Sequence, residues 1–180
     1  MSSKRKHSLL FSIVLVPVTL IILGAFALSG ASVLENLRFS NATAQILGFV
    51  RTVRAFVNEQ KTYTPAVGED IWATLSRIQR IPSSMHQTNP WGGTIRTLAT
   101  TSTEMDVESD LPSQDCRRMA LYFLGLGPAE LGLLSIAAKA DQNTKWSVIY
   151  PSNTNSPTAL VEASCGPTKT SRIALVFKIK

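Results

Sequence analysis

The chain has 180 residues, a formal net charge of +6 at pH 7, 44% apolar residues and 17% charged residues. That length suits a membrane anchor with one modest domain and is too short for two large domains. The counts of 10 Gly and 9 Pro exclude collagen-like and disordered chains. Two Cys and two His do not favour a zinc or iron–sulfur site, since such sites usually take four ligands and would use every Cys and His of the chain. No metal or cofactor is expected.

The positive charge is concentrated at the N-terminus and does not indicate nucleic-acid binding. Of 18 Lys and Arg residues, three are Lys4, Arg5 and Lys6, which leaves 15 basic against 12 acidic residues in the rest of the chain. No nucleic-acid partner is therefore expected.

An uncharged segment follows the basic cluster and predicts a membrane anchor. No charged residue lies in 8–34, and Leu9 to Leu28 is almost entirely apolar. About 20 apolar residues span the hydrocarbon core as a helix, and the positive-inside rule keeps the basic end in the cytoplasm. We expect a cytoplasmic stub and anchor over 1–31, and a periplasmic head over 32–180. The alternative is a secretory signal cleaved near Ser29-Gly30-Ala31.

Helical spacing of apolar residues continues beyond the anchor. From Val33 to Val57 apolar side chains recur every three or four positions. The simplest structure is one helix from Ser8 to Gln60, whose amphipathic part, 32–60, packs on the head. The alternative is a break near Ser29-Gly30. Arg51 and Arg54 should lie nearer solvent, and five side chains should pack under the sheet: Phe49, Val50, Val53, Phe56 and Val57.

A short helix, a dense turn and a hairpin are predicted next. The helix runs from Glu69 to Arg80, with Asp70 as its cap and an inner stripe of Ile71, Leu75 and Ile78. The turn is Asn89-Pro90-Trp91-Gly92-Gly93. The strands are Thr94 to Thr100 and Glu104 to Leu111, with the loop Thr101-Ser102-Thr103 between them.

One hairpin register places apolar side chains on the same face of both strands. It pairs Thr100 with Glu104 and Arg96 with Glu108. The core face then carries Ile95, Ala99, Met105, Val107 and Leu111, and the other face carries Arg96, Glu104, Asp106, Glu108 and Asp110.

The C-terminal part contains two predicted helices and three predicted strands. One helix follows Pro112, and a second covers Pro128 to Ala140. The strands are Lys145 to Tyr150, Pro157 to Ala163, and Ser171 to Ile179. The expected fold class is α+β, with the long helix packed on a small antiparallel sheet.

No residue pattern indicates catalysis. His86 follows a turn without a Ser or Cys motif, and an exposed loop histidine is the simpler interpretation. Asp106, Glu108 and Asp110 could bind calcium, but strand spacing favours a solvated sheet face partly neutralised by Arg96. We expect no enzymatic activity.

The two cysteines are expected to pair, because a periplasmic head faces an oxidising compartment. A Cys116–Cys165 bridge would close a loop of about 50 residues and stabilise the head by about 4 kcal/mol in the chain-entropy model. Cys116 would lie on the helix after Pro112, and Cys165 at the end of a late strand. The alternative is two separate buried thiols.

The chain resembles the type IVb pilins of conjugative thin pili and bundle-forming pili. An apolar helix continues into an amphipathic one, and three pieces carry the likeness: Ile81-Pro82-Ser83-Ser84-Met85, the turn Asn89-Pro90-Trp91-Gly92-Gly93, and Leu111-Pro112 leading to Cys116-Arg117-Arg118-Met119-Ala120-Leu121. The likeness covers most of Ser32 to Leu124, and Cys165 fits the second cysteine of the family.

This resemblance implies an αβ-roll head and a structural subunit of a pilus or pilus-like filament for conjugation or adhesion. Its implied partners are other pilin subunits through the N-terminal helix, the inner membrane and the assembly machinery. No Gly precedes the apolar run and no acidic residue lies between Met1 and Leu34, which implies a minor or divergent subunit. The alternative function is a single-pass inner-membrane protein with a partner-binding head in a secretion or conjugation machine.

Overall fold

The computed structural model describes residues 32–140, 145–151, 156–167 and 169–180. The chain divides into two units, Met1–Arg38 and Phe39–Lys180. Helix α1 covers residues 32–59 within the described chain. The elements that follow it are α2 (Ile71–Arg77), β1 (Ile95–Thr101), β2 (Glu104–Pro112), α3 (Ser113–Gly125), α4 (Pro128–Leu131), β3 (Leu133–Lys139), β4 (Ser147–Tyr150), α5 (Pro157–Cys165) and β5 (Thr170–Lys178).

The five strands form one antiparallel sheet in the order β1-β2-β5-β3-β4. The strand β5 therefore lies at the centre, between β2 and β3. Helices together with a wholly antiparallel sheet confirm the predicted α+β class.

The predicted hairpin register is confirmed along most of its length. Ile95 pairs with Ser109, Thr97 with Val107 and Ala99 with Met105. The predicted pairing of Thr100 with Glu104 is wrong, because the register shifts between Ala99 and Thr101 and Thr101 faces Glu104. The irregularity adds one residue to β1 and shortens the loop to two residues.

The hydrophobic core lies between α1 and one face of the sheet. Phe49, Val50, Val53, Phe56 and Val57 of α1 are all buried, as predicted. They share one cluster with the core face of the strands, which includes the predicted residues Ile95, Ala99, Met105, Val107 and Leu111. Helices α3 and α5 bury apolar side chains in the same cluster.

The short helix α2 has the predicted cap Asp70, but it covers only Ile71–Arg77 of the predicted range Glu69 to Arg80. The Asp70 carboxylate accepts a hydrogen bond from the Ala73 backbone N–H at 3.2 Å, which caps the first turn. Ile71 and Leu75 are buried, whereas Ile78 is 45% exposed and follows the last helical residue. The inner stripe therefore ends at Leu75, and the prediction for Ile78 is wrong.

Two C-terminal predictions are wrong. The predicted helix from Pro128 to Ala140 stops after one turn, because Gly132 takes a left-handed conformation with φ 62°. The chain then pairs with the central strand as β3. The predicted strand from Pro157 to Ala163 is helix α5, in which Pro157 occupies the first turn and Val161 and Cys165 fall on the buried side.

Candidate functional site

The predicted turn motif is hydrogen-bonded to the end of β2 and so connects the segment before β1 to that strand. The Asn89 Oδ1 atom accepts hydrogen bonds from the backbone N–H groups of Trp91 at 3.0 Å and Gly93 at 2.9 Å. Its Nδ2 atom donates to Ser109 Oγ at 3.0 Å and to the Asp110 carbonyl at 2.6 Å. One buried side chain thus joins the turn to β2.

The two glycines of this motif have separate roles. Gly92 has φ +82°, a backbone conformation that L side chains rarely adopt. At Gly93 an added Cβ would lie 2.0 Å from the Asp110 carbonyl oxygen, so only glycine allows this close approach. The motif Asn89-Pro90-Trp91-Gly92-Gly93 is therefore explained by backbone geometry, with Pro90 and Trp91 half-buried beside it.

The disulfide between Cys116 and Cys165 is present, with the two Cα atoms 5.9 Å apart. Both cysteines are fully buried, and they join α3 to α5. Cys165 ends a helix, so its predicted place at the end of a strand is wrong. The sequence reasoning also missed Ser113 and Ser171, whose hydroxyls lie 2.7 Å apart beside the bridge.

The acidic face of β2 is paired with a cation that the sequence reasoning missed. Arg172 of β5 contacts Asp110 through Nε at 2.6 Å and through Nη2 at 3.2 Å. It also lies 3.5 Å from Glu108, which Arg96 approaches at 3.6 Å as predicted. Arg172 is only 8% exposed.

The expectation of a solvated acidic face is therefore wrong at its centre, where Arg172 is buried between Asp110 and Glu108. Among the described residues, no group of three or more His, Cys, Asp or Glu side chains is arranged to hold a metal ion.

Asp106, at the other end of this acidic row, has a different environment. Its Oδ1 atom is shielded from solvent and has no hydrogen-bond partner among the described residues. Burial, with the nearby Glu108 carboxylate as a second cause, raises the pKa of the Asp106 carboxyl from 3.8 to about 7.

His86 lies beside a groove of about 510 Å³ between α1 and the loop that precedes the turn motif. His86 is exposed, and its backbone carbonyl accepts a hydrogen bond from the side-chain amide of Gln45. No carboxylate or thiol is among the described residues that line the groove. His86 therefore has no acid–base partner there.

Arg54 makes two hydrogen bonds that the sequence reasoning missed. Its Nε atom donates to the Lys178 carbonyl at 2.8 Å, and its Nη2 atom donates to the Leu131 carbonyl at 2.7 Å. Burial lowers the pKa of Arg54. Arg51 is exposed as predicted, whereas Arg54 is half-buried and ties α1 to the ends of α4 and β5.

The predicted membrane span Leu9 to Leu28 lies outside the described residues. Within the part of the chain that the structure describes, no helix combines the length and the apolar character needed to cross a bilayer. Three apolar side chains at the start of the described helix are more than half exposed: Val33 (55%), Leu34 (58%) and Leu37 (53%).

Neither models of protein families, nor characterised proteins, nor solved structures give a match to this chain.

Proposed function

We propose that this chain is a structural subunit of a type IVb pilus or pilus-like filament, as a minor or divergent pilin that serves conjugation or adhesion. In this proposal the N-terminal helix contacts other subunits and, before assembly, the inner membrane. The assembly machinery moves the subunit from the membrane into the filament. The role uses no catalytic group and no cofactor.

The observation that carries the proposal is the change of environment along α1. Val33, Leu34 and Leu37 are exposed at positions that share one side of a helix, whereas α1 is buried on one face from Phe39 onward. Exposed neighbouring apolar side chains call for another surface to cover them. Packed helices of neighbouring subunits would supply that surface in a filament.

The construction of the head supports the same proposal. A helix against an antiparallel sheet is the arrangement expected of a pilin-like αβ-roll. The buried Cys116–Cys165 bridge suits a head that matures in an oxidising compartment and is exposed outside the cell. The hydrogen bonds of Asn89 and of Arg54 hold neighbouring segments to opposite ends of the sheet.

Fractionation of sheared cells tests the proposal against the alternative function. A filament subunit should be recovered in the pelleted surface filaments, whereas a single-pass inner-membrane protein with a partner-binding head should remain in the membrane fraction. Recovery of the chain only in the membrane fraction, with filaments present, would contradict the proposal.

A pair of matched variants tests the observation itself. Leu37→Glu places a charge on the exposed apolar side and should remove the chain from filaments while its head keeps the disulfide. Ser40→Glu, at a nearby exposed position, should leave assembly unchanged. Equal recovery of both variants in filaments would show that the apolar residues before Phe39 are not an assembly surface.

A further inference from the structure

Asp106 lies on the outer sheet face, which we define as the side of the sheet that carries Arg96, Asp106, Glu108, Asp110 and Arg172. The register places Leu98 of β1 on one side of Asp106 and Val176 of β5 on the other. Asp106 is half-buried, and its Oδ1 atom is shielded from solvent without a hydrogen-bond partner among the described residues. A carboxylate oxygen is therefore buried without compensation, at a position where both neighbouring strands carry apolar residues.

The two arginines of this face contact the carboxylates of Glu108 and Asp110. Arg172 holds Asp110 at 2.6 Å and reaches Glu108 at 3.5 Å, and Arg96 lies 3.6 Å from Glu108. Asp106 has no ion pair with any described residue. Glu104 and Lys178 lie opposite each other at the end of the β2–β5 ladder. Asp70 lies opposite Leu98, on the other side of β1 from Asp106.

The strand beside Asp106 is irregular. β1 is the outermost named strand, and its register with β2 shifts between Ala99 and Thr101. Its outer side is held by two backbone hydrogen bonds between Ala99 and the segment Gly68-Glu69, and by a bridge from Asp70 to Leu98. The Thr100 Oγ1 atom, at this irregularity, is also buried without a hydrogen-bond partner in the described chain. Hydrating the buried oxygen requires the groups around it to move, and an irregular segment opens more easily than the regular centre of a sheet.

We propose that Asp106 is a proton-operated switch in the β1–β2 edge of the head, closed when its carboxyl is protonated and loosened when it ionises. The inference does not depend on filament formation, because it rests only on contacts within the sheet. Burial and the neighbouring Glu108 raise the pKa of the Asp106 carboxyl to about 7, which places the transition near neutral pH.

The direction of the pH effect follows from proton linkage. The folded chain keeps the Asp106 proton up to about pH 7, whereas the unfolded chain releases it near the ordinary value of 3.8. The contribution of Asp106 to stability is therefore largest in acid, falls as the pH rises between those values, and is level above them. Between pH 5.5 and pH 8 the folding equilibrium constant should fall by about 10- to 30-fold from this carboxyl.

The experiment uses the full chain, held in mild detergent because of its apolar N-terminal segment. Carboxyl ¹³C NMR of the wild type follows the ionisation of Asp106, with an expected midpoint between pH 6 and pH 8. Hydrogen exchange, corrected for intrinsic rates, should show the β1 amides exchanging at least 10-fold faster at pH 8 than at pH 5.5.

Two variants separate Asp106 from the other titrating groups. Asp106→Asn removes the ionisation with little change of shape and should abolish the fall in stability between pH 5.5 and pH 8. Glu104→Gln removes a carboxylate from the same face of the same strand and should retain that fall. A ¹³C midpoint below pH 5, or an Asp106→Asn variant with the wild-type pH dependence, would overturn the proposal.

Discussion

Replacing Asn89 by Ala should destabilise the head, because this side chain makes two hydrogen bonds within the turn and two to β2. Each such bond contributes about 0.5–1.5 kcal/mol net, and leaving buried partners unpaired adds to the loss. We expect the free energy of unfolding to fall by about 3–5 kcal/mol, a large share of the 5–15 kcal/mol typical of a domain. The midpoint temperature should fall by roughly 10 °C.

Denaturant unfolding of the full chain, followed by tryptophan fluorescence, measures this loss. Gln87→Ala is the matched control. Gln87 is exposed, and its backbone carbonyl, which accepts a hydrogen bond from Ile95 N–H, is retained in the variant. Asn89→Asp should not rescue stability, because its second oxygen would face the Asp110 carbonyl that now accepts from Nδ2 at 2.6 Å. A loss below about 1 kcal/mol for Asn89→Ala, or full stability of Asn89→Asp, would show that the Asn89 hydrogen bonds do not stabilise the head.

Three further changes test other parts of the head. Replacing Cys116 and Cys165 together by Ala opens a loop with a sequence separation of 49 and should cost about 4 kcal/mol; an unchanged denaturation midpoint under non-reducing conditions would contradict this. Val107→Asp puts a charge at a position that is 1% exposed, and circular dichroism should show an unfolded head at 25 °C. Arg54→Ala loses two hydrogen bonds to backbone carbonyls and should cost about 1–3 kcal/mol, whereas exposed Arg51→Ala should change stability by less than about 0.5 kcal/mol; equal effects in thermal melts would argue against the tie.

Local patterns predicted the hairpin well because two strands had to agree on one register. Alternation on both sides of the loop fixed the partners of Thr97 and Ala99. The irregularity beside Thr101 was not predicted, because one inserted residue does not disturb the alternation of apolar and polar residues on either side of it. The face assigned to Val107 is correct for the same reason.

The two incorrect C-terminal elements show where local preference fails. The Leu- and Ala-rich run after Pro128 favours a helix by propensity, but pairing with β5 makes Leu133–Lys139 a strand. The run after Pro157 contains β-branched and small residues, yet it forms α5 and buries Cys165 against α3. In both cases the deciding contacts are distant along the chain.

The same limit applies to the candidate site. The turn motif marked Asn89 by its local pattern, but its partners on β2 lie 20 and 21 residues further along the chain. Arg172 was missed because only the pairing of β2 with β5 places it opposite Asp110. Once that pairing is known, the alternation along both strands predicts the contact.

Immunogold electron microscopy of surface filaments, with an antibody against the folded head, tests the central claim most directly. The account predicts gold particles on filaments shed from cells that carry the chain, and none on filaments from cells that lack it. Label confined to the cell envelope, on cells that bear filaments, would contradict the assignment of this chain as a filament subunit.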